Sequence, residues 1–447
     1  QKSKKERTFK ANIIIFTNSF DLNKKWLTKE PEMVICVTGQ FNVLALEFNK
    51  AFEKDIVYVD EDLEEVQKSV WNDKHKKQPA LQAANALNAS GDEENEVQAS
   101  VLGNMGALTF QQPNTEKLKL DDFQITRIVG QGAFGKVYKI VNKKTKKMHA
   151  MKCIRKDRAL ENNSVNNLLL EKEILFSEKH PFLVSMDYVF QNEHRIFFVM
   201  DFIEGGELFR HLCTVRKFSE EQGKFMIAQV AIALQHLHDK NIIYRDLKPE
   251  NVLVETDGYL KLTDFGLAKK AKRKDINKTF CGTASYLAPE ILTHQGHDFS
   301  VDIWCLGTLL FEMIVGIPPF YKKIKRLCLK TLKQTESTSQ VEKGTTSMSP
   351  PRQRPDSQNA SERQKLENRA KGGIPDVLKH PFFDGLDLKA LKAKTLPSPY
   401  KPNLQNDKYK FFDPELADQP KEVKFSALGA AGEGLIAAKA KNQFEGF

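Results

Sequence analysis

The sequence predicts an α+β fold in which strands come first and helices follow. Three observations carry that expectation. Apolar and polar residues alternate around Phe123–Ile128 and Val137–Val141, the two-residue period of a half-buried strand, on either side of G-Q-G-A-F-G (Gly130–Gly135). S-E-E-Q at Ser219–Gln222 forms a capping box, and the apolar pattern behind it runs to His238. Asp302–Val315 is apolar almost all round, which predicts a buried helix.

With 447 residues the chain has room for two or three domains, and its start at Gln rather than Met predicts a fragment of a longer product. Residues 1–72 alternate short apolar runs (Ile13–Phe16, Met33–Val37, Val43–Leu46, Ile56–Val59) with polar turns and close on a helical candidate, Glu61–Trp71. This β-rich region resembles a truncated pleckstrin-homology-like barrel. A β-rich domain with no such role stays open as the alternative. Residues 73–117 are rich in Ala, Asn, Gln and Glu and read as a disordered linker.

Composition excludes several classes. No apolar run approaches the roughly 18 residues of a membrane helix, and Q-K-S-K-K-E-R lacks the apolar core of a signal peptide. The six cysteines are scattered with no C-x-x-C, against a disulfide framework or zinc site and for a reducing compartment. The net charge of +10 is spread among acids without aromatic-basic interleaving, so no nucleic acid is expected as a partner. It reads as a solvated surface with some attraction to anionic membranes.

The chemistry-bearing residues cluster between Gly130 and Glu290. Gly130, Gly132 and Gly135 let backbone approach phosphates without Cβ clashes. A dinucleotide-binding turn would open a helix here, but K-V-Y-K-I-V reads as strand. In M-H-A-M-K-C-I the alternation puts Ala150 and Lys152 on one face. Helical spacing puts Leu168, Glu171 and Leu175 on one face, so Glu171 points inward and needs a cationic partner. Y-R-D-L-K-P-E-N (Tyr244–Asn251) follows an apolar helix and precedes the strand-like Val252–Val254.

Six motifs stand in order: G-Q-G-A-F-G-K-V, A-M-K (Ala150–Lys152), L-E-K-E (Leu170–Glu173), Y-R-D-L-K-P-E-N, D-F-G (Asp264–Gly266) and A-P-E (Ala288–Glu290). Together they resemble the AGC group of Ser/Thr protein kinases, nearest to protein kinase B and its serum- and glucocorticoid-regulated relatives. The resemblance implies a bilobal kinase fold, with a small β-rich N-lobe and a larger helical C-lobe. It assigns 118–383 to the kinase domain and 384–447 to the AGC tail.

It also implies roles. Lys152, paired with Glu171, would reach the α- and β-phosphates. Asp246 would accept the proton of the substrate hydroxyl, Lys248 would neutralise the γ-phosphate, and Thr283 would bridge the two. Asn251 and Asp264 would hold Mg2+ beside ATP. Val129, Val137, Ala150, Met200 and Leu253 would enclose adenine, Phe134 would cap the glycine loop, Asp201–Ile203 would form the hinge, and Glu207 would meet the ribose. Glu207, Glu250 and Glu312 would read arginines before the acceptor Ser/Thr. For Glu312 an internal partner on the large lobe is the alternative.

Regulation follows the same resemblance. An upstream kinase would phosphorylate Thr279, with Arg245 and Lys269 receiving the phosphate. Phe412 and Asp413 would fold over the nucleotide. Phe444 and Phe447 match the F-x-x-F hydrophobic motif. The expected location is cytoplasmic, with membrane recruitment through the N-terminal region open.

The resemblance breaks at 321–370, a polar stretch with no aromatic from Lys322 to Pro381. Either it is disordered or its sequence is mis-predicted. It should have supplied an arginine for Glu290; Arg363 and Arg369 are weak substitutes. A catalytically dead scaffold and a lipid- or partner-binding module in the N-terminal stretch are the rival functions. Against the first, Lys152, Asp246 and Asp264 are all present.

Overall fold

The computed structural model describes residues 118–132, 135–271, 277, 279–292, 296–319, 373–405, 407–416, 443–444 and 447. The expectations for 1–72, the 73–117 linker, Phe134 and the 321–370 stretch with Arg363 and Arg369 lie outside them. The chain divides into two compact units. Among the described residues one holds 118–214, 249–269 and those of 392–447; the other holds 215–248, 270–319 and 373–391.

The first unit is built on a sheet of five strands: β1 (Phe123–Gln131), β2 (Gly135–Asn142), β3 (Met148–Arg155), β4 (Met186–Gln191) and β5 (Arg195–Asp201). They pair antiparallel in the order β1-β2-β3-β5-β4. The alternation seen in the sequence sorts the faces. Tyr138, Ile140, Met151, Cys153, Phe197 and Val199 pack into one core with Phe123 and Ile128. The other face keeps the half-buried Val137, Lys139, Ala150 and Lys152. Burial of that apolar set contributes about 25 cal/mol per Å² removed from water, which holds the register against slippage.

Two helices follow β3, α1 (Lys156–Glu161) and α2 (Val165–Ser177). In α2 the buried residues are Leu168, Glu171, Ile174 and Leu175, the stripe that helical spacing predicts. After β5 come α3 (Leu208–Val215) and, later in the chain, the hairpin of β6 (Val252–Val254) and β7 (Leu260–Leu262).

The second unit is helical. Its long helix α4 (Glu220–Asp239) starts at the expected capping box: Gln222 N–H donates to Ser219 Oγ at 3.2 Å, and Ser219 N–H donates to Gln222 Oε1 at 3.0 Å. The helix α5 (Ser300–Val315) is buried from Val301 to Met313. It ends at Gly316, whose φ of +93° suits a left-handed cap that only glycine adopts freely. The two-lobed α+β kinase architecture expected from the sequence is thus present as a β-sheet unit and a helical unit.

Candidate active site

In the β-sheet unit, strand register brings distant residues side by side. Val137 on β2 pairs with Gly130 on β1 and with Lys152 on β3. Ala150 on β3 pairs with Met200 on β5, and Glu207 bridges to Leu253 on β6. Val129 and Met200 are buried, while Val137, Ala150 and Leu253 are half-buried. Gly135 must be glycine because a Cβ there would collide with the Cys153 carbonyl oxygen.

The Lys152 ammonium donates to Glu171 Oε1 at 2.6 Å and to Asp264 Oδ1 at 3.2 Å. Glu171 is 1 % exposed and Lys152 18 %. Burial works against the Lys152 charge, but the Asp264 and Glu171 carboxylates more than offset it and hold its pKa above the usual lysine range. Burial pushes the Glu171 carboxyl up, and the Lys152 ammonium opposes that.

Asp264 sits at φ +60°, an uncommon backbone for a non-glycine residue, and its side chain is 49 % exposed. Strained positions of this kind recur at functional sites. Asn251 is buried one residue before β6, and its carbonyl accepts from Thr263 N–H at 3.0 Å. No group of three or more His, Cys, Asp or Glu among the described residues could hold a metal alone. An accessible carboxylate and an amide oxygen do suit a hard divalent cation that takes its other ligands from phosphates and water.

In the helical unit, three side chains close a triangle. Thr283 Oγ1–H donates to Asp246 Oδ1 at 3.1 Å, and Lys248 Nζ donates to Asp246 Oδ2 at 2.8 Å and to Thr283 Oγ1 at 3.1 Å. What holds the loop is Asp302 at the start of α5. Its carboxylate accepts from the backbone N–H of Tyr244 (2.9 Å) and Arg245 (2.8 Å) and meets His238 Nε2 at 2.8 Å. Arg245 takes φ +66°, so the loop turns sharply just before Asp246. Sequence reasoning used Asp302 only as a helix boundary. A fully buried carboxylate opening an apolar helix was the available signal.

The family model for the protein kinase domain matches residues 123–383. The chain belongs to the protein kinase family. Its similarity to the RAC family serine/threonine-protein kinase homolog of Dictyostelium discoideum is 37 % identity over 344 residues, 75 % of this chain and 74 % of that one. Serine/threonine-protein kinase sgk-1 of Caenorhabditis elegans is 38 % identical over 337 residues, 73 % of this chain and 69 % of that one. Serine/threonine-protein kinase Sgk1-B of Xenopus laevis is 37 % identical over 343 residues, 74 % and 75 % respectively. These relatives place the chain in the AGC group, and it is a protein serine/threonine kinase.

Other expected site residues of this kinase fall as follows. Glu207 and Glu250 are half-buried. Glu312 is 3 % exposed and accepts a short hydrogen bond from the Tyr286 hydroxyl, so it has the internal partner that was its alternative reading. Glu290 accepts from Ser300 Oγ at 3.1 Å, a partner not foreseen. Thr279 is half-buried beside the buried Phe280 and Cys281. Arg245 lies in the same unit as Thr279, whereas Lys269 lies in the β-sheet unit. Cys153, Cys281 and Cys305 are buried free thiols.

The kinase's tail packs on the β-sheet unit. Phe412 stacks on Phe202 at 5.8 Å between centroids, and Asp413 pairs with Arg210 at 3.1 Å. The His211 ring bonds Tyr400 Oη and the Gly205 carbonyl, each at 2.7 Å, and lies 3.7 Å from the Phe411 ring. Burial lowers the His211 pKa to about 4. Phe444 is buried with Lys156 Nζ 5.2 Å from its ring, and Phe447 stacks on Phe198 at 6.1 Å with Lys172 of α2 at 5.8 Å. Gln191 donates to the carbonyls of both, at 2.9 and 3.1 Å. No helix among the described residues is long and apolar enough to cross a membrane.

Proposed function

We propose that this kinase transfers the γ-phosphate of Mg-ATP to Ser/Thr hydroxyls in Arg-containing contexts, with Asp246 as the proton acceptor. The Asp246–Lys248–Thr283 triangle carries the reading. Asp246 would take the proton of the substrate hydroxyl as that oxygen bonds to the γ-phosphorus and the bond to the bridging β-phosphate oxygen breaks, leaving ADP. Lys248 Nζ would stand against the developing phosphoryl charge, and Thr283 would fix both side chains. Such a reaction needs positioning and charge neutralisation more than covalent help.

Lys152 would hold the α- and β-phosphates, with Glu171 keeping its ammonium in place. Asn251 and Asp264 would hold Mg2+, which neutralises phosphate charge when bound. Gly130, Gly132 and Gly135 would cradle phosphates, while Val129, Val137, Ala150, Met200 and Leu253 would enclose adenine beside the 201–203 hinge. Arginine would be read by Glu207 and Glu250, both half-buried, whereas Glu312 is buried against the Tyr286 hydroxyl.

For regulation, phosphate on Thr279 from an upstream kinase would be received by Arg245 and Lys269. The packing of Phe447 beside Lys172 of α2, with Phe444 beside Lys156 of α1, supports a hydrophobic motif that holds Glu171 inward. The domain limits 118–383 and 384–447 and an N-terminal contact with anionic membranes belong to the same proposal. Radiolabel transfer by wild type against Asp264→Ala tests it. Equal background counts from the two proteins would favour a dead scaffold. A peptide array without enrichment of Arg two and three residues before the acceptor would remove the substrate preference.

A further inference from the structure

Within the β-sheet unit, the chain from Lys394 to Tyr400 is fastened to the β6–β7 turn at alternate residues. The Lys394 ammonium makes a short ion pair with Glu255 and lies 5.4 Å from the Tyr259 ring centroid. The Tyr259 hydroxyl donates to the Leu396 carbonyl at 2.7 Å. Ser398 is half-buried at the closest approach. Its hydroxyl donates to the Tyr400 carbonyl at 2.7 Å, with the Gly258 carbonyl 3.2 Å away, and accepts from Tyr400 N–H at 3.3 Å. Gly258 holds φ +88°, and a Cβ on it would collide with the Tyr400 carbonyl oxygen and with Ser398. One serine hydroxyl therefore joins two backbones where there is no room for a larger group.

The same serine stands in P-S-P-Y-K (Pro397–Lys401). Pro399 has no N–H to offer, so the site suits an enzyme that seats proline directly after the acceptor. Lys401 is exposed three residues on and gives such an enzyme a cation to read. The preference proposed above for this chain, arginine two and three residues before the acceptor, meets Leu396 and Thr395 instead. We propose that Ser398 is a phosphorylation site for a second, proline-directed kinase, and that its phosphate keeps residues 394–400 off the β6–β7 turn. The Ser398 oxygen bonds to the γ-phosphorus of the second enzyme's ATP, the bond to the bridging oxygen breaks to leave ADP, and the hydroxyl proton passes to that enzyme's base. A clasped hydroxyl cannot enter another active site, so the enzyme takes the segment in its released form. On return, a phosphate of nearly two negative charges meets the Tyr400 and Gly258 carbonyl oxygens, while Lys394 is already held by Glu255. Charge and volume both bar reclosure.

The test uses the full chain carrying Ser349→Ala, which leaves Ser398 as its one serine or threonine followed by proline. Incubation with ATP and a proline-directed kinase that prefers a following cation should place phosphate on Ser398, located by mass spectrometry. Adding Asp246→Asn should leave that incorporation unchanged. Trypsin then reports release through the bond after Lys394. The phosphorylated chain should be cut there about ten-fold faster than the unmodified one. Ser398→Ala, which loses the hydroxyl without adding charge, should stay within about three-fold. Tyr259→Phe removes the bond to Leu396 and keeps the ring, so Ser398 should be phosphorylated about five-fold faster. No phosphate on Ser398, a phosphorylation rate that Tyr259→Phe leaves unchanged, or cleavage of the phosphorylated chain at the unmodified rate would each overturn the switch. Incorporation abolished by Asp246→Asn would overturn the assignment to a second kinase. None of these outcomes bears on the proposed reaction, because no residue of the Asp246 triangle takes part.

Discussion

The two sets of side chains proposed to handle phosphate are assembled by opposite means. Lys152 meets Glu171 and Asp264 across 19 and 112 residues of chain, from β3, α2 and the D-F-G turn. Asp246 and Lys248 are two residues apart in one loop, joined by Thr283 and pinned by Asp302. The first set is a charge balance around one buried carboxylate: remove the cation and Glu171 is left buried beside the half-exposed Asp264. The second is a matter of backbone hydrogen bonds that leave little room to move. A long-range charge balance can be undone by shifting one helix, whereas a loop held by its own N–H groups fails only when its anchor fails.

The sharpest way to break this contrast is Lys152→Met. Loss of the charge proposed to position phosphates should lower kcat/KM by about 10³-fold. The variant also leaves Glu171 buried without its cation, so thermal stability should fall as well. An active, equally stable Lys152→Met would end the charge-balance account.

Asp302→Asn tests the other set through stability. It keeps one oxygen for three donors and turns an N–H2 toward another N–H. A loss of about 3 kcal/mol in denaturant unfolding is expected, since orphaned buried donors cost about 1–3 kcal/mol each. Activity of the remaining folded fraction should fall as well, because the loop that carries Asp246 loses its anchor. A selective collapse of kcat with unchanged stability would contradict an anchoring role.

Acid should distinguish the units next. His211 has its folded pKa near 4, below the ordinary 6.5. Its contribution is full above pH 6.5 and is lost as pH falls toward 4. Unfolding free energies from denaturant titration at pH 7 and pH 5 should differ by about 2 kcal/mol from this ring. His211→Asn should flatten that slope. Asp187, lowered to about 2 chiefly by the hydrogen bond from His149, adds a further loss only below pH 3.8. A slope that His211→Asn leaves intact would move the acid sensitivity elsewhere.

The smallest effect belongs to Thr283→Ala. It removes one hydroxyl from the triangle and leaves the direct Lys248–Asp246 pair. A fall in kcat of about ten-fold, with KM for ATP unchanged, is expected from stopped-time assays. No change would reduce Thr283 to packing.

Most of the described fold was legible because its signals are local. The capping box at Ser219, the strand alternation on both sides of the glycine loop and the apolar run of α5 each depend on neighbours a few residues away. The inward turn of Glu171 was legible for the same reason, from the spacing of Leu168 and Leu175. Pairings were harder. Glu312 reads in the sequence as an arginine-binding carboxylate, with an internal partner as the alternative, until Tyr286 is seen to donate to it. The family's arginine partner for Glu290 was sought in 321–370, and nothing in the spacing pointed to Ser300 ten residues away. Asp302 went unremarked as a loop anchor because its donors are backbone groups, which carry no residue signature.

Sequence alone determined the inventory of this kinase: which charged side chains stand in its motifs, in what order, and on which face of which strand or helix they start. Short-range periodicity and capping decide such things before the chain is compact. Only the tertiary structure decided who answers whom: Asp264 beside Lys152, Asp302 beneath the Tyr244–Arg245 backbone, and Tyr409 on Lys139 across 270 residues. Those contacts arise where packed layers bring distant segments to within a few ångströms, and no pattern of neighbours along the chain encodes that meeting.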